Sequence, residues 1–292
     1  MKKLPFTHIS SPAAHPAAGM SLIELSIVLV VVGLIISMGM TMGPDMIFTS
    51  KVTQTKGQLD KVRQAIEGFA LTNNRLPCPD TDNDGVENVA SHTCSSKSGD
   101  LPIITLGLSA GRNTSGSDKR DASGKDAWGN TIKYAVFIRA SSAATRLEDL
   151  ASDEVGTSDQ TAWGTTISRT YFCKKLTQLA SSTFVATTDL HVANLTSRDG
   201  NNANSSCANG IMVPFALITS GSEDADKNDN KYDGMNDTTL NGNDALCFEN
   251  PDRIMRQYSV EESSSTNVNN YDDTVVAGSF SSLTSRMNCK NN

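Results

Sequence analysis

Three signatures, HExxH, GxxxxGK(S/T) and GxGxxG, are absent from these 292 residues. That removes the common zinc-peptidase, phosphate-cradling and dinucleotide-binding constellations. Histidine is scarce, with only His8, His15, His92 and His191. Cys94 beside His92 can be drawn as a nucleophile pair, but cysteines in an oxidising compartment are expected in disulfides. No CxxC spacing exists to scaffold a thiolate metal site. A basic surplus is also missing: 25 Lys and Arg face 32 Asp and Glu, for a formal charge of -7. An acidic surface of this kind disfavours nucleic acid and suits divalent cations. An enzyme is therefore not expected.

What the chain does have is one long apolar run. Gly19-Met20-Ser21-Leu22-Ile23-Glu24 leads into Leu25–Met42, which carries no charge. About 20 apolar residues cross a bilayer core as a helix, with their backbone polar groups satisfied internally. A transmembrane helix is therefore expected over 20–43. Glu24 is costly in such a place and so reads as functional. Lys2 and Lys3 precede the run, which predicts a cytoplasmic N-terminus and a single pass. The segment 1–19 has no apolar core of its own and is not an ordinary signal peptide.

Gly19, Met20, a glutamate at the fifth position counted from Met20, and an apolar helix together resemble the class III leader of type IV pilins and type II secretion pseudopilins. The resemblance implies a leader over 1–19, cleaved after Gly19 by a prepilin peptidase, and N-methylation of Met20. It also implies that Glu24 reaches the N-terminal amine of a neighbouring subunit in a helical filament. The expected fold is α+β and pilin-like: a long N-terminal transmembrane and stem helix packed on an antiparallel β-sheet head with large loops. Residues 44–75 would be the periplasmic half of the helix and 76–292 the β-rich head.

The residues support that division. Gly43-Pro44 ends or kinks the span. Val52, Leu59, Val62, Ile66 and Phe69 then form one helical stripe, expected to pack on the protein's own sheet. Asn73-Asn74 and Pro77 stop it.

Cys78, Cys94, Cys173, Cys207, Cys247 and Cys289 all follow the apolar run. Their even number on an exported side predicts disulfides, with Cys78–Cys94 the expected pair because it closes a short loop.

Asp80, Asp82 and Asp84 alternate ahead of Gly85. Positions 1, 3, 5 and 6 of a calcium loop need that pattern, and Glu87 or Asn88 would add an oxygen. Position 12 is Ser91 instead of a bidentate glutamate, so the match is partial. Calcium and a plain acidic turn both remain open. Asp226, Asn228, Asn230 and Asp233 form a weaker acidic loop, without glycine in the sixth place.

Asp126-Ala127-Trp128-Gly129-Asn130 is a turn signal before an expected strand, Thr131–Ile138, with Trp128 as a buried anchor. It resembles the Asp-Pro-Trp-Gly-Asn-Pro turn of major pseudopilins, with Ala127 and Thr131 replacing the prolines. Ala162-Trp163-Gly164 echoes it once. Ala143–Leu150 reads as a short helix, Gly210–Gly221 as a central strand, and 271–287 as a last strand and helix.

The functional expectation is a minor or tip-like structural subunit of a type IV pilus or type II secretion pseudopilus. Its partners would be other pilins or pseudopilins, the prepilin peptidase and an inner-membrane assembly platform. The head would be periplasmic. Alternatives are a tip subunit for adhesion or DNA uptake and, further off, a membrane-tethered periplasmic enzyme.

Overall fold

A computed structural model describes residues 21–108, 124–139, 142–193, 210–222, 232, 247–249 and 273–289, with side chains 37–46 excepted. Two compact units divide the chain, Met1–Thr49 and Ser50–Asn292.

The long helix α1, Leu22–Asn73, runs through Gly43-Pro44. Ser21 starts it: the Ser21 hydroxyl accepts from the Glu24 N–H at 3.4 Å, and its carbonyl accepts from Leu25 N–H. Asn74, in the left-handed region at φ 56°, closes it.

The transmembrane assignment for 20–43 is corrected: among the described residues no helix is long and apolar enough to cross a membrane. After Ile36 the sequence is diluted by Ser37, Gly39, Thr41, Gly43 and Pro44.

In Ser50–Asn292 the 3.6-residue period decides what is buried. Thr55, Leu59, Val62, Ile66 and Ala70 are buried on α1, while Val52 and Phe69 are half-buried. Leu59, Val62, Ile66 and Ala70 share one core with Tyr134, Val136, Phe215 and Leu217. The main sheet is antiparallel, in the order β3 (Ser98–Asp100), β4 (Lys133–Val136), β7 (Phe215–Thr219), β9 (Thr274–Ala277). Every residue of β7 is buried, as a strand covered on both faces requires. Lys133 pairs with Ile218 and Val136 with Phe215, which sets the register.

Val89–Ala90 (β1) and Thr93–Cys94 (β2) form a hairpin across Ser91-His92, both with positive φ as a two-residue primed turn demands. A smaller sheet has the order β6 (Gly210–Met212), β5 (His191–Ala193), β8 (Cys247–Glu249). The β5–β8 pair is parallel, unlike the all-antiparallel head expected.

The expected strand 210–221 is two strands in two sheets. Pro214 has no N–H to give a ladder, and its carbonyl accepts from Phe137 N–H. Ala143–Leu150 is turns, not a helix. The Ala143 and Ala144 carbonyls accept from Thr157 and Ser158 N–H instead of from the next helical turn. Gly156 lets that crossing occur, since a Cβ there would lie 2.6 Å from the Ala144 oxygen. The helices α2 (Gln160–Trp163), α3 (Arg169–Ala180) and α4 (Phe280–Arg286) complete the described elements. The echo at Ala162-Trp163-Gly164 ends a helix, whereas Ala127-Trp128-Gly129 is a turn, so no repeat exists there.

Candidate functional site

Two places carry the sequence expectations. The first is the start of α1. Leu22, Ile23, Leu25 and the apolar residues of Ile27–Val32 and Leu34–Ile36 are 44% to 88% exposed. Six consecutive residues, Ile27–Val32, cannot share one stripe, so the helix is apolar all round. Each such side chain gains roughly 1.5–3 kcal/mol on full burial. Glu24 lies exposed in the first turn, where a carboxylate is favoured by the helix dipole. Ser21-x-x-Glu24 has the spacing of a capping box. The bond of that box that is formed runs from the Glu24 backbone N–H to the Ser21 hydroxyl. Gly19 and Met20 lie outside the described residues.

The second place is the loop after α1. Asp80, Asp82 and Asp84 offer carboxylate oxygens within 4.8 Å of one another. Asp80 is buried and organises the loop: one oxygen accepts from Asp82 N–H (3.1 Å) and Asn83 N–H (2.7 Å), the other from Gly85 N–H (2.7 Å). Gly85 adopts φ 83°, the sharp turn the sequence pattern requires. Burial raises the Asp80 carboxyl above its usual range against those three N–H groups. The Asp80 oxygen that accepts from Gly85 keeps acceptor capacity, and Asp82 is exposed, so three carboxylates fit a hard cation.

The expected fourth oxygens are committed elsewhere. Glu87 holds Arg75 through two bonds of 2.7 and 2.6 Å and accepts from Cys78 N–H. Asn88 accepts from Thr81 N–H at 2.6 Å. A cation here would complete its shell from water. The second acidic set, Asp226, Asn228, Asn230 and Asp233, lies outside the described residues.

Cys78 and Cys94 are bonded, joining the acidic loop to the β1–β2 hairpin. Cys173 and Cys289 are also bonded, fastening α3 to the residues after α4, and Cys247 is disulfide-bonded as well. Cys207 lies outside the described residues. His92 faces Asp153 at 2.9 Å instead of serving Cys94, and the buried His191 ring contacts the Asp189 carbonyl.

The Asp126 turn is a constructed corner. Asp126 is buried, and one of its oxygens accepts from Trp128 and Asn130 N–H. Its other oxygen accepts from the Thr219 hydroxyl on β7. Thr55 on α1 accepts from Ala127 N–H at 3.1 Å. The turn therefore ties the stem stripe to the central strand. Trp128 itself is half-buried, less enclosed than an anchor.

Sequence reasoning missed two buried charged groups. Arg139 holds the fully buried Asp189 with bonds of 2.5 and 2.7 Å. Burial works to raise the Asp189 carboxyl, but Arg139 outweighs it and holds the carboxyl low. Lys175 on α3 is fully buried and donates to the Asp149 carbonyl at 2.8 Å. Burial lowers its ammonium from 10.5 to about 8, with nearby Asp149 opposing. A lysine within the apolar face of α3 was the available signal.

No family model matches the chain, and neither a curated protein nor a solved structure matches it.

Proposed function

We propose that this chain is a minor or tip-like structural subunit of a type IV pilus or type II secretion pseudopilus, with a non-catalytic role. The observation that carries the proposal is the start of α1, where apolar side chains from Leu22 to Ile36 are exposed on every side behind Gly19, Met20 and Glu24. A helix apolar all round needs an apolar surrounding, and like helices supply one in a filament core. Before assembly the chain is held at the inner membrane, where the prepilin peptidase removes 1–19 and the assembly platform receives it. Within the filament, Glu24 meets the N-terminal amine of Met20 on the next subunit. The pairing fixes register because an unpartnered charge in that setting is costly.

Mass spectrometry of filaments sheared from the native host tests the proposal. The expected species is a peptide that begins at methylated Met20. Processed protein confined to the envelope would select the pseudopilus, and an intact leader would overturn the pilin reading. Glu24→Gln separates the two roles of this residue. An amide can still serve a capping box, but it carries no charge for the amine. Reduced incorporation is expected for both Glu24→Gln and Glu24→Ala, with processing intact. Normal incorporation of Glu24→Gln would leave only the capping role.

A further inference from the structure

An open groove of about 860 Å³ runs along the outer face of α3. This falls within the usual 300–1,000 Å³ of ligand clefts. Its floor is the Cys173–Cys289 disulfide, and Trp163 stands at its margin. In a chain with seven more acids than bases, no carboxylate lines this groove among the described residues. Arg169 and Lys174 do.

The two cations differ in availability. Lys174 is bonded to Asp159 at 3.1 Å and lies 5.3 Å from the centre of the Trp163 ring. Arg169 is exposed and has no hydrogen-bond or ion-pair partner among the described residues. The rest of the wall is hydroxyl and amide: Thr170, Thr177, Gln178, Ser181 and Asn288. Trp163 is half-exposed, with its ring tilted at 55° against Tyr171 and 5.8 Å away.

We propose that this groove binds a carboxylate-bearing oligosaccharide, with Trp163 as the stacking surface and Arg169 as the carboxylate receptor. A sugar ring presents an apolar face to an indole and hydroxyls around its edge, which matches one aromatic platform set among side-chain hydroxyls and amides. The planar guanidinium fork fits a carboxylate through two parallel bonds. Single-stranded nucleic acid fits less well. It needs a cationic track and successive stacking rings, whereas Lys174 is neutralised by Asp159 and Trp163 is the one aromatic lining residue among the described residues. The inference does not depend on the filament reading.

Calorimetric titration of the full chain in mild detergent tests it, with a uronic-acid hexamer, a neutral glucose hexamer and a thymidine oligomer as probes. Saturable binding is expected for the uronate alone. Arg169→Gln should weaken that binding about tenfold or more. It should leave the melting temperature unchanged, since Arg169 has no partner among the described residues. Trp163→Phe should retain most of the affinity, and Trp163→Ala should lose it. Absence of uronate binding, equal binding of the neutral hexamer, tighter binding of thymidine, or an unchanged affinity in Arg169→Gln would each overturn the proposal.

Discussion

The start of α1 and the unit Ser50–Asn292 treat their side chains in opposite ways. From Leu22 to Ile36 the chain leaves leucine, isoleucine and valine in the open. In Ser50–Asn292 it buries not only its apolar residues but also Lys175, Asp189, Glu67 and Asp126. The second region places partners beside these groups: Arg139 bonds Asp189, Arg286 forms an ion pair with Glu67 at 2.8 Å, and Thr219 donates to Asp126. Buried charge with its partner in the same unit marks a region that folds on its own contacts. Exposed apolar surface with no such partner marks an interface. One helix supplies residues to both, so hydrophobicity alone does not say where a residue ends up; the company around it does.

A paired substitution on α1 puts the contrast at greatest risk. Ile66 is fully buried in the core and Ile35 is 65% exposed. Ile66→Ala should cost about 2–5 kcal/mol, the transfer loss plus the cavity left behind. Ile35→Ala should stay within about 0.5 kcal/mol. Urea denaturation of the full chain in mild detergent measures both. Ile35→Ala should instead weaken self-association, read by crosslinking. Equal stability losses would erase the distinction between core half and interface half.

Lys175 sharpens the comparison from the other side. Its folded value of about 8 lies below the ordinary 10.5, so between those values the folded chain holds fewer protons than the unfolded one. Stability therefore rises with pH across that window, and below pH 8 the full burial penalty applies. From pH 8 to 9.5 the gain is about 2 kcal/mol. Among the described residues, burial pushes the Tyr134, Tyr171 and Tyr232 hydroxyls above their ordinary 10 and so out of that window. Lys175→Met should flatten the rise in urea melts at the two pH values. A parallel rise in that variant would place its origin elsewhere.

The sequence exposed local devices and hid distant ones. The α1 stripe could be read because its period is local, and Leu59, Val62 and Ile66 do enter the core. Thr55 and Ala70 join the same buried face by geometry, where a hydrophobicity count ranks Val52 and Phe69 higher. Cys78–Cys94 spans 16 residues and announces itself by spacing; Cys173–Cys289 spans 116 and does not. The Arg139–Asp189 pair joins residues 50 apart, and nothing local marks either side chain as buried. The Asp126 turn was visible as a turn, but its bonds to Thr219 and the adjoining Thr55 bond need the assembled sheet. Gly210–Gly221 reads as one strand, and Pro214 divides it into β6 and β7. The membrane assignment is overturned because no helix among the described residues is long and apolar enough to cross a bilayer.

The acidic loop should give the smallest effect. Asp80, Asp82 and Asp84 repel one another within 4.8 Å, and a divalent cation would relieve that repulsion. The loop is nevertheless already shaped by three N–H groups on Asp80, so a cation has little left to organise. With Glu87 and Asn88 occupied, the affinity should be that of a weak extracellular site, about 10⁻⁴–10⁻³ M. At tenfold excess over such a constant, calcium stabilises by about 1.4 kcal/mol. A small rise in melting temperature with 10-millimolar-scale calcium is therefore expected, and Asp82→Ala should abolish it. Asp82 is the informative position because it is exposed and contributes its backbone N–H, not its carboxylate, to the bond that shapes the turn. A calcium response that survives Asp82→Ala would move the ion away from this loop. No response at all would leave Asp80 with a purely structural task, holding the turn that Gly85 makes possible.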